Sequence, residues 1–523
     1  MSEAPVISLI LSAHLPFIRD QEPQLFEALS ETYIPLLEML DRLESGRIPF
    51  KLGLAISPLL CDLLQDRFFI RRYLAYTDKQ LEFGLRELER TQESPELNRL
   101  VCYYYDRMVE KRAFFSVRHE NNLIQALDVY QKKGRVEILC TAASHAFLPL
   151  YTAYPEALQA QIETALSSYR EHFGSNPLGF WLPEMGWTAE LDPCLRSYGF
   201  CYTVVDTHGA FLGEPVPSRG CFFPYQSPAR NYILTRDPSA RSDMGDFRLQ
   251  PGCRDNSQDA GYELPPESLA PFMVRGRRGP TGYKYRALTA GGAVPALYDP
   301  DAARKQVREQ ARAFLEASLA RLRLAGERSG GPPVSLCAWE ADAFGRRWYE
   351  GTDFLEALFL EAACRTDLRI MNCGEYLYSL RRAPDPAPLE TSLPAYSSWG
   401  RNGYAETWLN ASNDWIYRHL HCALERMIDL AGRFPNDRGL RERALNQAAR
   451  EILLAQASDW PRMLHQQETA AFARSQIEMA LRNFTTIYEA VGSSHISTEW
   501  LTSLEKRHNF FPRINYRVFR RKE

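Results

Sequence analysis

No Cys-x-x-Cys pair occurs in the chain, and its eleven cysteines are odd in number and scattered. Such usage gives no disulfide framework and no zinc knuckle, and it predicts reduced thiols in a cytoplasmic protein. A dominant sign of charge is missing as well. The formal net charge is -3, which offers no general attraction to nucleic acid or to an anionic membrane. The short basic clusters at Arg275, Arg277 and Arg278 and at Arg520, Arg521 and Lys522 read as solvated loop and tail. Long apolar runs are also lacking: Val6 to Ser12 is too short to span a bilayer, and no basic region precedes it, so neither a membrane span nor a secretory leader is expected. No internal repeat or long low-complexity tract breaks the chain.

What remains is a globular composition. At 523 residues, 45% hydrophobic and 24% charged, the chain is long enough for two or three domains, or for one large barrel with an attached domain. Several strand-length apolar runs end on a chemically able residue: Val6 to Leu11 before His14, Lys51 to Ile56 before Ser57, Val136 to Cys140 before His145, Tyr202 to Val205 before Asp206 and His208, and Val334 to Trp339 before Glu340. Near-continuous hydrophobicity marks strands buried on both faces, and helical patterns such as Leu25 to Leu40 and Glu156 to Tyr169 intervene. The pattern predicts an α/β, TIM-like barrel. Its reactive side chains collect at the C-terminal ends of parallel strands, so one mouth should hold His14, His145, Glu184, Asp206 and Glu340.

The barrel is expected over residues 1–382, with a helical insertion at about 59–120 lying over the mouth and a long functional loop at about 236–282 that is dense in Pro, Gly, Asp and Arg. After a Pro-rich stretch, apolar residues recur at helical spacing (Trp415, Ile416, Leu420, Leu424, Met427), which predicts a C-terminal α-helical domain over 396–523.

The most informative segment is Gly179-Phe180-Trp181-Leu182-Pro183-Glu184-Met185-Gly186-Trp187, a buried run that stops on a carboxylate between tryptophans. Flat aromatic walls stack on pyranose rings, and a carboxylate so placed attacks or stabilises an oxocarbenium-like carbon. For an isolated Glu of this kind a solvated strand end is the blander reading; the other strand endings favour chemistry.

These residues resemble glycoside hydrolase family 57, and within it the group of α-1,4-glucan branching enzymes. The likeness runs through Ser12-Ala13-His14-Leu15-Pro16, Gly134-Arg135-Val136-Glu137-Ile138-Leu139, Trp181-Leu182-Pro183-Glu184 and Ala338-Trp339-Glu340-Ala341-Asp342-Ala343-Phe344-Gly345, and on to Ser397-Ser398-Trp399-Gly400 and Thr407-Trp408-Leu409-Asn410. The resemblance implies a (β/α)7 barrel, a retaining mechanism and an α-glucan as partner; neither cofactor nor metal is expected. It makes Glu184 the nucleophile and puts Glu340 at the acid/base position, where the family carries Asp. His14, His145, Trp181, Asp206 and Asp255 become candidate substrate contacts, with Trp399 and Trp408 on the acceptor path.

The chain also departs from the family. Glu340 is one methylene longer than Asp, Arg346 and Arg347 replace a His-Trp pair, Arg286 stands where a sugar-stacking aromatic is expected, and Asp243 or Met244 occupies the loop tip of a usual Tyr. Asp342, two residues beyond Glu340, is expected to point elsewhere unless the loop bends. A non-catalytic glucan-binding protein on the same scaffold is therefore an alternative. A zinc-dependent hydrolase is a more distant one, because His14 lacks the nearby Asp that such a site requires.

Overall fold

The computed structural model describes residues 4–18, 22–273, 276–289, 296–329, 331–383 and 388–522. Its strands are β1 (Val6–Ala13), β2 (Leu52–Ile56), β3 (Val136–Thr141), β4 (Gly179–Trp181), β5 (Tyr202–Val205), β6 (Tyr225–Gln226), β7 (Tyr232–Thr235), β8 (Val334–Glu340) and β9 (Arg369–Ile370). They follow the order β6-β7-β5-β4-β3-β2-β1-β8, with β9 pairing the start of β1. All pairings are parallel except β6 with β7. Just past β7, Arg236 forms a parallel bridge to Leu336 of β8, and the Asp237 amide donates to the Leu336 carbonyl at 2.8 Å. That contact joins the two ends of the path, so β1, β2, β3, β4, β5, β7 and β8 make the seven-stranded ring of a (β/α)7 barrel.

The apolar strands are explained by burial on both sides. Val6 and Ile10 of β1 face an inner cluster with Leu139, Trp181, Val204 and Leu336, whereas Ile7, Leu9 and Leu11 face the surrounding helices. Each such side chain contributes roughly 1.5–3 kcal/mol when buried. Gly179 is required on β4, since a Cβ there would lie 2.3 Å from the Tyr202 ring.

The insertion forms the helices Arg67–Arg90 and Pro95–Ala113, which pack against each other. Three tyrosines fasten the segment 283–285 to it: Tyr104 donates to the Lys284 carbonyl at 2.6 Å, Tyr283 to the Gln80 carbonyl at 3.2 Å, and Tyr285 to Glu87 at 2.8 Å. The span 236–282 is not simply a loop, contrary to the sequence expectation. It contains the helix Pro238–Phe247, whose N-terminus Asp237 caps, and the short helix Ala260–Glu263, capped by Asp259. Asp259 also accepts from the Thr281 and Gly282 amides at 2.9 and 3.0 Å, which ties the far end of the span to its middle. Pro238 and Pro266 sit at first helical turns, where the missing N–H costs nothing.

After the barrel come the helices Trp415–Arg433, Leu440–Ala455, Asp459–Gln466, Ala470–Gly492 and Thr498–Arg507. Leu440–Ala455 is the most enclosed, with Leu445, Ala448, Ala449, Ile452 and Leu453 all fully buried. This helical unit also reaches the barrel mouth. Ala457 bridges Ala146 in antiparallel fashion, and the Ser458 amide donates to the His145 carbonyl at 3.3 Å. Among the described residues no helix is long and apolar enough to cross a membrane.

Candidate active site

Glu184 lies just beyond β4 with φ +58°, and Met185 follows at φ +51°. Consecutive left-handed residues without glycine cost of order 1–3 kcal/mol each and persist only where the surroundings dictate them. Here they do. The segment leading to Trp399 runs back along the turn: Trp187 and Ser397 exchange backbone hydrogen bonds at 2.8 and 3.3 Å, and the Trp399 amide donates to the Glu184 carbonyl at 3.0 Å. The Trp399 indole N–H then donates to Glu184 Oε2 at 2.7 Å, and the Ser458 hydroxyl to Oε1 at 3.0 Å. Burial pushes the Glu184 carboxyl above the usual range and the charge of Glu340 adds to this, while Arg462 and the Trp399 hydrogen bond act against it.

Two histidines back this carboxylate. His14, directly after β1, bonds Ser57 through Nδ1 at 2.8 Å and Asp459 through Nε2 at 2.8 Å. Its ring stacks on His145 with centroids 4.1 Å apart and planes 4° from parallel. His145 Nδ1 lies 3.1 Å from Ser458 Oγ and 3.9 Å from Glu184 Oε1. Burial, reinforced by the charge of His14, lowers the His145 pKa and keeps this imidazole neutral. Its Nε2 is buried without a hydrogen-bond partner among the described residues. Burial alone would raise the Asp459 carboxyl, but His14 and Arg462 hold it well below the usual range.

Glu340 ends β8 in register with Ser12 of β1, and its side chain is 32% exposed. Both oxygens face guanidinium groups: Oε2 takes Arg347, and Oε1 lies 3.5 Å from Arg462. The turn Ala341–Ala343 bends so that Asp342 faces the same cation, accepting from Arg347 and, at 2.8 Å, from Arg346. The loop thus bends, the one case in which Asp342 is expected to turn towards Glu340. Gly345 makes it possible, since at φ +128° it leans on the Glu31 carbonyl, which a Cβ would approach to 1.7 Å. Arg462 links the two halves of the site. It donates to Asp459 at 3.1 Å, lies 3.5 Å from Glu340, and its charge opposes the upward shift of the Glu184 carboxyl.

The other sequence candidates are placed less uniformly. Asp206 caps Thr207 at 2.7 Å and pairs with Arg236, whose guanidinium lies 6.0 Å from the Trp399 ring centroid. Trp399 is only partly buried, and Trp181 supports it edge-on at 5.5 Å. Trp181 and Trp408 differ from expectation. They are 0% and 1% exposed, with the Trp408 ring stacked on Phe147 at 4.4 Å, so neither presents a face to solvent. Asp255 accepts from the Ser257 amide and hydroxyl at 2.9 and 2.6 Å, closing its own turn instead of bonding the cluster. The sequence reading missed Ser458, Asp459 and Arg462. The available signal was Ser458-Asp459 immediately before a helical pattern, a pair suited to a helix start. No group of three or more His, Cys, Asp or Glu among the described residues is arranged to hold a metal ion.

A family model described as glycosyl hydrolase family 57 matches residues 8–275, and one described as 1,4-alpha-glucan branching enzyme, C-terminal, matches 419–519. The chain is 26% identical over 539 aligned positions to a 1,4-alpha-glucan branching enzyme of Thermococcus kodakarensis, an alignment covering 97% of this chain and 77% of that protein. The solved structure of the alpha-amylase AmyC from Thermotoga maritima superposes with a TM-score of 0.91 at 32% identity, covering 99% of this chain and 100% of that one. A branching enzyme of the same family from Pyrococcus horikoshii shares the fold, with a TM-score of 0.89 at 23% identity over 99% of this chain and 97% of that one.

Proposed function

This chain belongs to glycosyl hydrolase family 57, and from that premise we propose that it is a retaining enzyme acting on α-glucans, of the branching type, with Glu184 as nucleophile and Glu340 as acid/base. The observation that carries the reading is the hold on Glu184: a strained backbone and donors from Trp399 and Ser458 fix one carboxylate at the mouth, where positioning is most of what a nucleophile needs. In retaining transfer such a group attacks the anomeric carbon, while a second carboxyl roughly 5–5.5 Å away protonates the leaving oxygen and then deprotonates the acceptor. The unpartnered His145 Nε2 is suited to a sugar hydroxyl in the reacting subsite, and the open part of Trp399 to a pyranose face. Trp181 and Trp408 then serve by supporting the walls. In this reading residues 1–382 form the catalytic unit, and 396–523 form a helical domain that completes the site with Ser458, Asp459 and Arg462. A cytoplasmic location belongs to the same reading and is supported by eleven cysteines that form no disulfide.

One observation favours the non-catalytic alternative: Glu340 is held between Arg347 and Arg462, and an acid/base has to be free to reach the leaving oxygen. Incubation with amylose and analysis of linkages separates the readings. New α-1,6 linkages are expected. New reducing ends without branches would make the protein a hydrolase, and unchanged amylose with retained glucan binding would favour the scaffold reading.

Arg462 gives a test of the electrostatics. A nucleophile works ionised, so activity falls on the acid side as Glu184 takes up a proton. Burial raises the pKa of that carboxyl and Arg462 opposes the shift. Arg462→Met is therefore expected to move the acidic limb of the kcat/KM profile to higher pH. An unmoved limb would mean that Arg462 does not act on the group that titrates there.

A further inference from the structure

A second concentration of charge lies in a cleft of about 390 Å³ that Glu184, Glu340 and Arg462 do not line. The insertion helix Pro95–Ala113, the helix Pro300–Ser329 and the start of the helix Gly351–Ala363 contribute to its walls. Arg42, Arg107, Lys111, Arg304 and Arg308 line it, five cations against the three carboxylates Glu31, Asp353 and Glu356.

Half of these eight charges are already matched. Glu356 takes Arg42 through both oxygens, at 3.0 and 2.6 Å, and Glu31 is held by Arg254 at 2.8 Å. Arg107 pairs with Glu38 at 2.6 Å. The remainder, Lys111, Arg304 and Arg308 against Asp353, is net positive. Arg304 lies 3.6 Å from Asp301 and 3.9 Å from Asp353, distances too long for firm pairs. Arg308 is exposed and has neither ion pair nor hydrogen bond among the described residues.

Lys111 is the telling group. It is 5% exposed, its ammonium stands 5.8 Å from the Tyr349 ring centroid, and it too has no ion pair or hydrogen bond among the described residues. Burial, and then the charge of Arg107, lowers its pKa to about 8, with Glu31 and Glu38 opposing. It therefore stays mostly protonated near neutrality. A buried cation without a partner is costly unless something in the cleft compensates it. Neutral sugar hydroxyls would do so poorly, and an oxyanion would do so well. Tyr103 and Tyr349, whose hydroxyls bond each other at 3.0 Å, leave one phenol O–H free, and Thr352 at the start of its helix adds another neutral donor. Asp353, in the same turn, opposes an anion, although burial raises its carboxyl towards the neutral form.

We propose that this cleft binds a phosphate-type oxyanion, free or carried by a phosphorylated sugar, with the Lys111 ammonium as its buried anchor and Arg304 and Arg308 at its rim. Isothermal titration of the full chain with inorganic phosphate and with glucose 1-phosphate, at constant ionic strength in sodium chloride, tests it. One site per chain is expected, with a Kd at or below about 1 mM for the tighter probe. Lys111→Met should weaken binding by at least about tenfold, a loss of about 1.4 kcal/mol. Arg308→Ala, at an exposed position on which the fold does not depend, should weaken it by about three- to tenfold. If Lys111→Met does not fold, Arg308→Ala decides. Tighter binding of glucose 1-phosphate would identify a phosphorylated sugar, and equal binding free phosphate; either supports the site. No saturable binding of either probe up to about 10 mM, or wild-type affinity in every folded variant, would overturn it.

Discussion

Replacing Glu184 with Gln is expected to remove glycosyl transfer, by at least about 10⁴-fold in kcat, while the protein stays folded and still binds glucan. The size follows from the role, since removing a nucleophile costs roughly 10⁴–10⁶-fold and leaves only what binding and positioning supply. The survival of the fold follows from the bonds. The Trp399 indole N–H can only donate, so the introduced amide turns its oxygen to Trp399 and its NH2 to Ser458, whose hydroxyl rotates to accept. The change also removes a carboxyl that burial disfavours in its charged form, so the melting temperature is not expected to fall. Initial rates on amylose beside a thermal melt provide the check. Turnover within about tenfold of the unaltered protein would mean that the nucleophile is another group.

The parts of this molecule legible in the sequence are those that a local pattern decides. Strands such as Val334–Glu340 and Val6–Ala13 announce themselves because burial on both faces leaves no polar alternation to confuse them, and the first ends on Glu340 while the second ends directly before His14. The less legible parts depend on partners distant in the chain. Asp459 meets His14 across 445 positions and Ser458 meets Glu184 across 274, separations to which no periodicity extends. The indole of Trp408 cannot be told from that of Trp399 by spacing. Only the fold puts one against Phe147 and the other against Glu184. The span 236–282 misleads for a local reason, because Asp-Pro and Pro-Pro read as turns and here open helices capped by Asp237 and preceded by Pro265.

Shortening Glu340 to Asp is expected to lower transfer by about 10- to 100-fold, although it restores the residue type that the family resemblance implies at this position. The sequence leaves the sign open, since a misplaced carboxyl would gain from the loss of a methylene and a well-placed one would suffer. The neighbours favour the second outcome. Arg347 reaches Glu340 and Asp342 together, and Arg462 stands 3.5 Å from the other oxygen, so the surrounding cations are arranged around the longer side chain. The backbone cannot follow a shorter one, because Glu340 is paired in register with Ser12 and the turn after it is closed by Gly345 against Glu31. Withdrawing the carboxyl by roughly 1 Å then opens a gap to the leaving oxygen, an offset that can cost on the order of a hundredfold. Glu340→Gln, which cannot carry the proton, should lose about 10²–10⁴-fold. Both losses should shrink on an aryl glucoside whose leaving group departs without protonation, a pattern that general disruption of the site would not produce. A rate increase in Glu340→Asp would mean that the arginines do not hold the carboxyl where it is needed. Full activity in Glu340→Gln, with a large loss in Asp342→Asn, would transfer the acid/base role to Asp342.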